Sequence, residues 1–125
     1  MNTLLVVDAA NVVGSVPDGW WRDRHGAAER LRDRLVSCAE AGLPQCPGPL
    51  EVVLVVEGAA RTVASVPGVR TVAAPGSGDD RIVELVAEEG RGRSCLVVTA
   101  DRGLRARVEA LGAAVTGPRA VRPHA

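Results

Sequence analysis

The fold this sequence predicts is an α/β domain with three layers, helices covering both faces of a central, mainly parallel sheet of about five strands. Three observations predict it. Its short apolar runs are continuous rather than alternating, which is the habit of strands buried on both faces. The stretches between those runs carry the three- and four-residue spacing of amphipathic helices. Finally, the chain has two Trp and no Phe or Tyr, so its core has to be made by Val, Leu and Ala packed between sheet and helices.

Each element can be justified in turn. The first strand is Leu4-Leu5-Val6-Val7, followed by a loop carrying Trp20 and Trp21. Ala28, Leu31, Leu35 and Cys38 then recur on one face of a helix expected from about residue 25 to residue 41, stopping at Gly42. A Pro-rich connector leads to the second strand, Val52 to Val56, and a short helix is expected from Ala59 to Ser65, ahead of Pro67-Gly68. The third strand is Val69 to Ala73. Ile82, Leu85 and Val86 mark a helix opening at Gly78-Asp79-Asp80 and closing at Gly90, and Cys95 to Val98 is the fourth strand. Leu104, Val108 and Leu111 define a last helix ending at Gly112, and Ala113 to Thr116 is a weaker fifth strand. At 125 residues the chain has the size of one domain. That domain is expected over residues 1–117, with 118–125 as a short flexible tail containing Pro118, Arg119, Arg122, Pro123 and His124.

Composition excludes several kinds of chemistry. Fifteen basic residues balance fifteen acidic ones, and all the basic ones are Arg. A neutral chain has no general attraction for a polyanion, so nucleic-acid binding would need a local Arg patch or bound metal. Without Lys, Schiff-base and Walker A chemistry are excluded. Cys38, Cys46 and Cys95 are odd in number and form no CxxC pair, which suits a reducing, cytoplasmic setting. No signal peptide is read at the N-terminus, and no apolar run approaches the roughly 20 residues needed to span a bilayer.

Ligands of parallel α/β sheets bind beyond the C-terminal ends of the strands, so chemistry is sought there. Those positions hold Asp8 and Asn11, Glu57, Asp79 and Asp80, and Asp101. Each has a plainer role open to it: Asp8 and Asn11 as turn caps, Asp79, Asp80 and Asp101 as helix caps or first-turn acids, Glu57 as a solvated side chain. Together they place five carboxylates on one sheet edge. Like charges at close range raise one another's pKa, and a hard divalent cation relieves this while accepting oxygen ligands, phosphate included. No His or Cys set has zinc spacing.

Three segments carry a family resemblance: Val6-Val7-Asp8-Ala9-Ala10-Asn11-Val12-Val13-Gly14, Gly76-Ser77-Gly78-Asp79-Asp80-Arg81-Ile82-Val83, and Val97-Val98-Thr99-Ala100-Asp101-Arg102-Gly103-Leu104. In this order they resemble the motifs of NYN domains, a branch of the PIN-like ribonuclease superfamily, over essentially the whole chain. The resemblance implies a Mg²⁺- or Mn²⁺-dependent endoribonuclease with a central parallel sheet. It implies that Asp8, Asp79, Asp80 and Asp101 hold metal directly or through water and that Asn11 orients the first carboxylate or a water. The family commonly has Asp-Gly after the second strand, where this chain has Glu57-Gly58.

Arg22, Arg24, Arg81 and Arg102 lie near the proposed edge as candidate phosphate contacts, with Arg61 and Arg105 close to them in the same loops and helix starts. Trp20 and Trp21 serve either as a hydrophobic anchor for their loop or as a platform for an unpaired base. RNA is the expected partner. A homo-oligomer and an antitoxin or regulatory partner are both compatible with the sequence. The competing reading is a catalytically inactive PIN-like module that binds RNA or protein. A phosphoacceptor receiver domain lacks its Lys here, and a dinucleotide-binding half-fold lacks GxGxxG.

Overall fold

The computed structural model describes residues 1–122, so Pro123 and His124 of the expected tail lie outside the described residues. Five parallel strands form the main sheet: β1 (Thr3–Asp8), β4 (Leu50–Val56), β5 (Val69–Ala73), β6 (Cys95–Val98) and β7 (Ala114–Thr116). Their order across the sheet is β5-β4-β1-β6-β7. The chain therefore builds outward from β1 in one direction, returns, and builds outward in the other. The reversal makes β1 and β6 the flanks of a topological switch point, where a crevice opens beyond the strand ends.

Strand parity sends alternate side chains to two separate cores. Leu5, Val7, Val52, Leu54 and Val98 face a layer containing α1 (Ala9–Gly14) and α2 (Arg24–Ala41), where Ala28, Leu31 and Leu35 are buried. Leu4, Val6, Val53, Val55 and Val97 face the opposite layer, α3 (Gly78–Glu89) and α4 (Arg102–Glu109), against Ile82, Leu85, Leu104 and Val108. The helix–sheet–helix arrangement and the five-stranded parallel sheet are those expected from the apolar runs. Both cores are aliphatic, and all three cysteines are free.

The structure departs from expectation at four places. The segment after β1 was expected to be a loop. It turns at once into α1, because the Asp8 side chain caps the Asn11 N–H while Val12 faces the core. The helix expected at Ala59 to Ser65 shrinks to a single 3-10 turn, Gly58–Ala60. There Ala60 and Val63 gain burial without further helix, and the Val66–Val69 bridge draws the chain into β5. The last helix stops at Glu109, leaving Leu111 exposed. Residues 118–122 do not behave as a free tail: Pro118 and Val121 are buried, and Arg122 Nη1 donates to the Ser15 carbonyl at 3.0 Å. Val121 joins the α2-side core, which is what holds the segment down. Within the Pro-rich connector, β2 (Gly42–Leu43) and β3 (Cys46–Pro47) form a small hairpin.

Candidate active site

The same parity that fills the cores decides which polar side chains meet. Asp8 continues the Leu4, Val6 series of β1. Glu57, still in extended conformation, continues Val53 and Val55, and Thr99 continues Cys95 and Val97. All three therefore point to the α3/α4 side of the sheet's C-terminal edge. The N-termini of α3 and α4 bring Asp79 and Asp101 to the same edge.

Asp8 is only 4 % exposed. Thr99 Oγ1 donates to its Oδ2 at 2.9 Å, and the Asn11 backbone N–H donates to its Oδ1 at 3.4 Å. Burial raises the Asp8 carboxyl to a pKa of about 6. The two hydrogen bonds oppose that rise, and the negative charges of Asp79 and Glu57 add to it. Asp79 is also raised, by burial first and then by the charges of Asp101 and Glu57, with Arg107 opposing and Asp80 adding. The acids of this edge therefore feel one another.

Thr99 is the residue that sequence reasoning passed over. It is fully buried, and besides holding Asp8 it accepts the Asp101 N–H at 3.2 Å, so one hydroxyl sets two carboxylate-bearing positions. The signal was available: a polar residue two positions after Val97, on the inward parity of a buried strand. Asp101 caps α4, its Oδ1 accepting the Leu104 N–H at 2.9 Å.

Asn11 does not orient Asp8 through its side chain. Its Oδ1 accepts the Ala100 N–H at 2.8 Å, tying α1 to the turn between β6 and α4. Glu57 reaches across to α3, where its Oε2 accepts the Gly78 N–H at 3.1 Å. A Cβ on Gly78 would stand 2.9 Å from Glu57 Oε1, so glycine is what lets the carboxylate seat against the helix start. Glu57 thus meets the helix N-terminus, a favourable place for an anion. Asp80, expected with the other acids, instead reaches Arg107 Nη1 at 3.1 Å, with 70 % of its side chain exposed. One residue along from Asp79 on a helix is a turn of about 100°, and that rotation carries Asp80 outward.

Asp8 and Asp79 are the acids held above their ordinary pKa, by burial and by neighbouring negative charge, and a divalent cation, which takes oxygen ligands, suits them. Among the described residues no three His, Cys, Asp or Glu side chains form a ready-made ion cage. Mg²⁺ does not require one, since it keeps several waters and commonly uses one or two carboxylates with substrate phosphate.

Of the candidate arginines, Arg24 lies over the Trp20 ring at 5.4 Å and Arg22 over Trp21 at 5.8 Å. The two indoles meet edge to face, centroids 6.0 Å apart. Arg81 is within 3.5 Å of Glu84 on its own helix, and Arg102 is exposed at the start of α4. A cleft of about 310 Å³ lies between α1, α2 and the turn after β4, with Trp20, Arg24 and Glu57 in its walls. Among the described residues, no helix is long and apolar enough to cross a membrane.

No family model matches the chain, and no curated protein matches it. Solved structures do. A crystal structure of Rae1 (YacP) from Bacillus subtilis superposes with a TM-score of 0.75 at 17 % identity, covering 94 % of this chain and 70 % of that one. A second crystal structure of that protein, a mutant, gives a TM-score of 0.72 at 20 % identity, covering 97 % of this chain and 72 % of the other. The likeness shows that the fold is shared along nearly the whole of this chain, while more than a quarter of the other chain has no counterpart in it.

Proposed function

We propose that this chain is a PIN-like ribonuclease of the NYN type, which hydrolyses RNA phosphodiester bonds with Mg²⁺ or Mn²⁺ held by Asp8 and Asp79, and by Asp101 directly or through water. The observation that carries this reading is the state of Asp8. A carboxylate is sealed at the sheet's switch point, raised to about pH 6, and the neighbouring charges acting on it, Asp79 and Glu57, are both negative. Such an arrangement works against folding, and a site that binds a cation and a phosphate gives it a use. Asp80, paired with Arg107, contributes negative potential from outside the edge and is not a direct ligand in this reading.

A bound Mg²⁺ or Mn²⁺ would supply charge neutralisation and an activated water for attack on phosphorus. The chain's own residues supply the geometry. Thr99 fixes the Asp8 carboxylate and the Asp101 backbone, Glu57 holds the start of α3 and so the position of Asp79, and Asn11 anchors the turn that carries Asp101. In this reading exposed arginines near the edge, Arg102 among them, donate to the RNA phosphates.

The test is cleavage of labelled RNA by purified protein in Mn²⁺. Cleavage should be abolished by EDTA and by Asp8→Asn. Failure to cleave RNAs of varied sequence and structure, with RNA binding intact, would select the inactive module instead.

A further inference from the structure

We propose that the cleft between α1, α2 and the turn after β4 is a subsite for one unpaired RNA base, stacked against Trp20 and Arg24 beside the reacting phosphate. This rests on the ribonuclease reading above and adds to it the place on this chain where one base is held.

The cleft's size, lining and position all lead there. Its volume of about 310 Å³ is at the lower end of small-ligand pockets, suited to a single flat ring system and too small for a base pair with its backbones. Ala9, Ala10 and Ala28 give it a smooth apolar floor. The wall is a cation–π pair, the Arg24 guanidinium carbon 5.4 Å from the Trp20 ring centroid. Indole and guanidinium are the two surfaces on which splayed-out RNA bases stack. The cleft's far wall is Glu57, whose carboxylate also binds the Gly78 N–H at the start of α3. Glu57 therefore belongs to both the cleft and the acidic edge. Ala9 of the cleft directly follows Asp8, and Glu57, whose charge acts on Asp8, also lines the cleft, so the cleft adjoins the acidic edge.

The charge balance gives such a subsite a use. The chain's net charge is zero, so it lacks the general attraction for a polyanion that a basic RNA-binding protein has. Affinity must come from local contacts, and base–aromatic stacking gives roughly ten- to hundredfold per base while tolerating any sequence. A base held in a duplex cannot enter, so the subsite selects unpaired positions.

A set of oligoribonucleotides of one sequence, each with a single abasic ribose at a different position, tests this. Binding is followed by fluorescence anisotropy in Ca²⁺ and cleavage in Mn²⁺. Removing the base at one position should weaken both roughly ten- to hundredfold, while removal elsewhere has little effect. Trp20→Ala should erase this position dependence and Trp20→Phe should keep it. Ala10→Leu, which narrows the cleft from an exposed helix position, should weaken binding of the unmodified strand. Equal cleavage of every abasic strand overturns the subsite and leaves the ribonuclease reading standing. Position-dependent binding without cleavage keeps the subsite and overturns the nuclease. Neither binding nor cleavage overturns both.

Discussion

Burying Asp8 to 4 % exposure keeps its carboxyl proton up to about pH 6, against the opposing hydrogen bond from Thr99, whereas in an unfolded chain the proton leaves near pH 4. The folded state thus binds more proton between those values, and stability falls as pH rises through that window. By pH 7 the loss amounts to about 3 kcal/mol at the conversion of 1.36 kcal/mol per pKa unit. Urea denaturation of the metal-free protein should show this decline between about pH 4 and 6, and saturating Mg²⁺ should flatten it by favouring the anion. Asp8→Asn should raise metal-free stability at pH 7 by roughly 1–3 kcal/mol while abolishing cleavage. Thr99→Val, similar in shape but without the hydroxyl, should cost about 1–3 kcal/mol by leaving polar groups unpaired and should slow cleavage by loosening both Asp8 and Asp101. A kinetic assay at saturating RNA reads this as a fall in kcat. Asp8 was readable from sequence because it ends a buried apolar run. Asp80 was not, because its partner Arg107 lies 27 residues away on another helix.

The acidic edge is assembled from short elements whose ends matter more than their lengths. The start of α3 is held from outside the helix by Glu57, which the Asp common at this position in NYN domains would be one methylene too short to imitate in the same pose. Gly78→Ala would put a Cβ 2.9 Å from Glu57 Oε1 and expel the carboxylate. The expected result is faster amide exchange at the α3 N-terminus and weaker metal binding, with the α2 side of the protein unchanged; hydrogen exchange resolved by residue checks it. Four of the strands and three helices could be read directly because buried strands and amphipathic helices leave strong periodic signals. α1 could not: Asn11-Val12-Val13-Gly14 is a poor helical sequence that folds as a helix through the Asp8 cap and the burial of Val12. The Ala59 to Ser65 segment fails in the opposite sense, since its alanines suit a helix but Ala60 and Val63 are satisfied by turns.

Across the whole molecule, strand order β5-β4-β1-β6-β7 places β1 and β6 at the reversal of the sheet, so residues 91 positions apart, Asp8 and Thr99, share a hydrogen bond. Apolar runs identify strands but not their lateral order, which is why the edge was visible in sequence and its pairings were not. On the proposed reading, a cation at the acidic edge offsets the repulsion that its carboxylates would exert on phosphate. Adding Mg²⁺ or Mn²⁺ should therefore raise the melting temperature, the gain growing with the logarithm of ion concentration above Kd, and Ca²⁺, larger and more flexibly coordinated, should compete without supporting cleavage. The most direct measurement is an anomalous difference map from crystals soaked in Mn²⁺. The account predicts a peak at the C-terminal edge with oxygens of Asp8 and Asp79 about 2.0–2.2 Å away. Saturating Mn²⁺ that leaves this edge empty, or that binds only elsewhere on the surface, would contradict it.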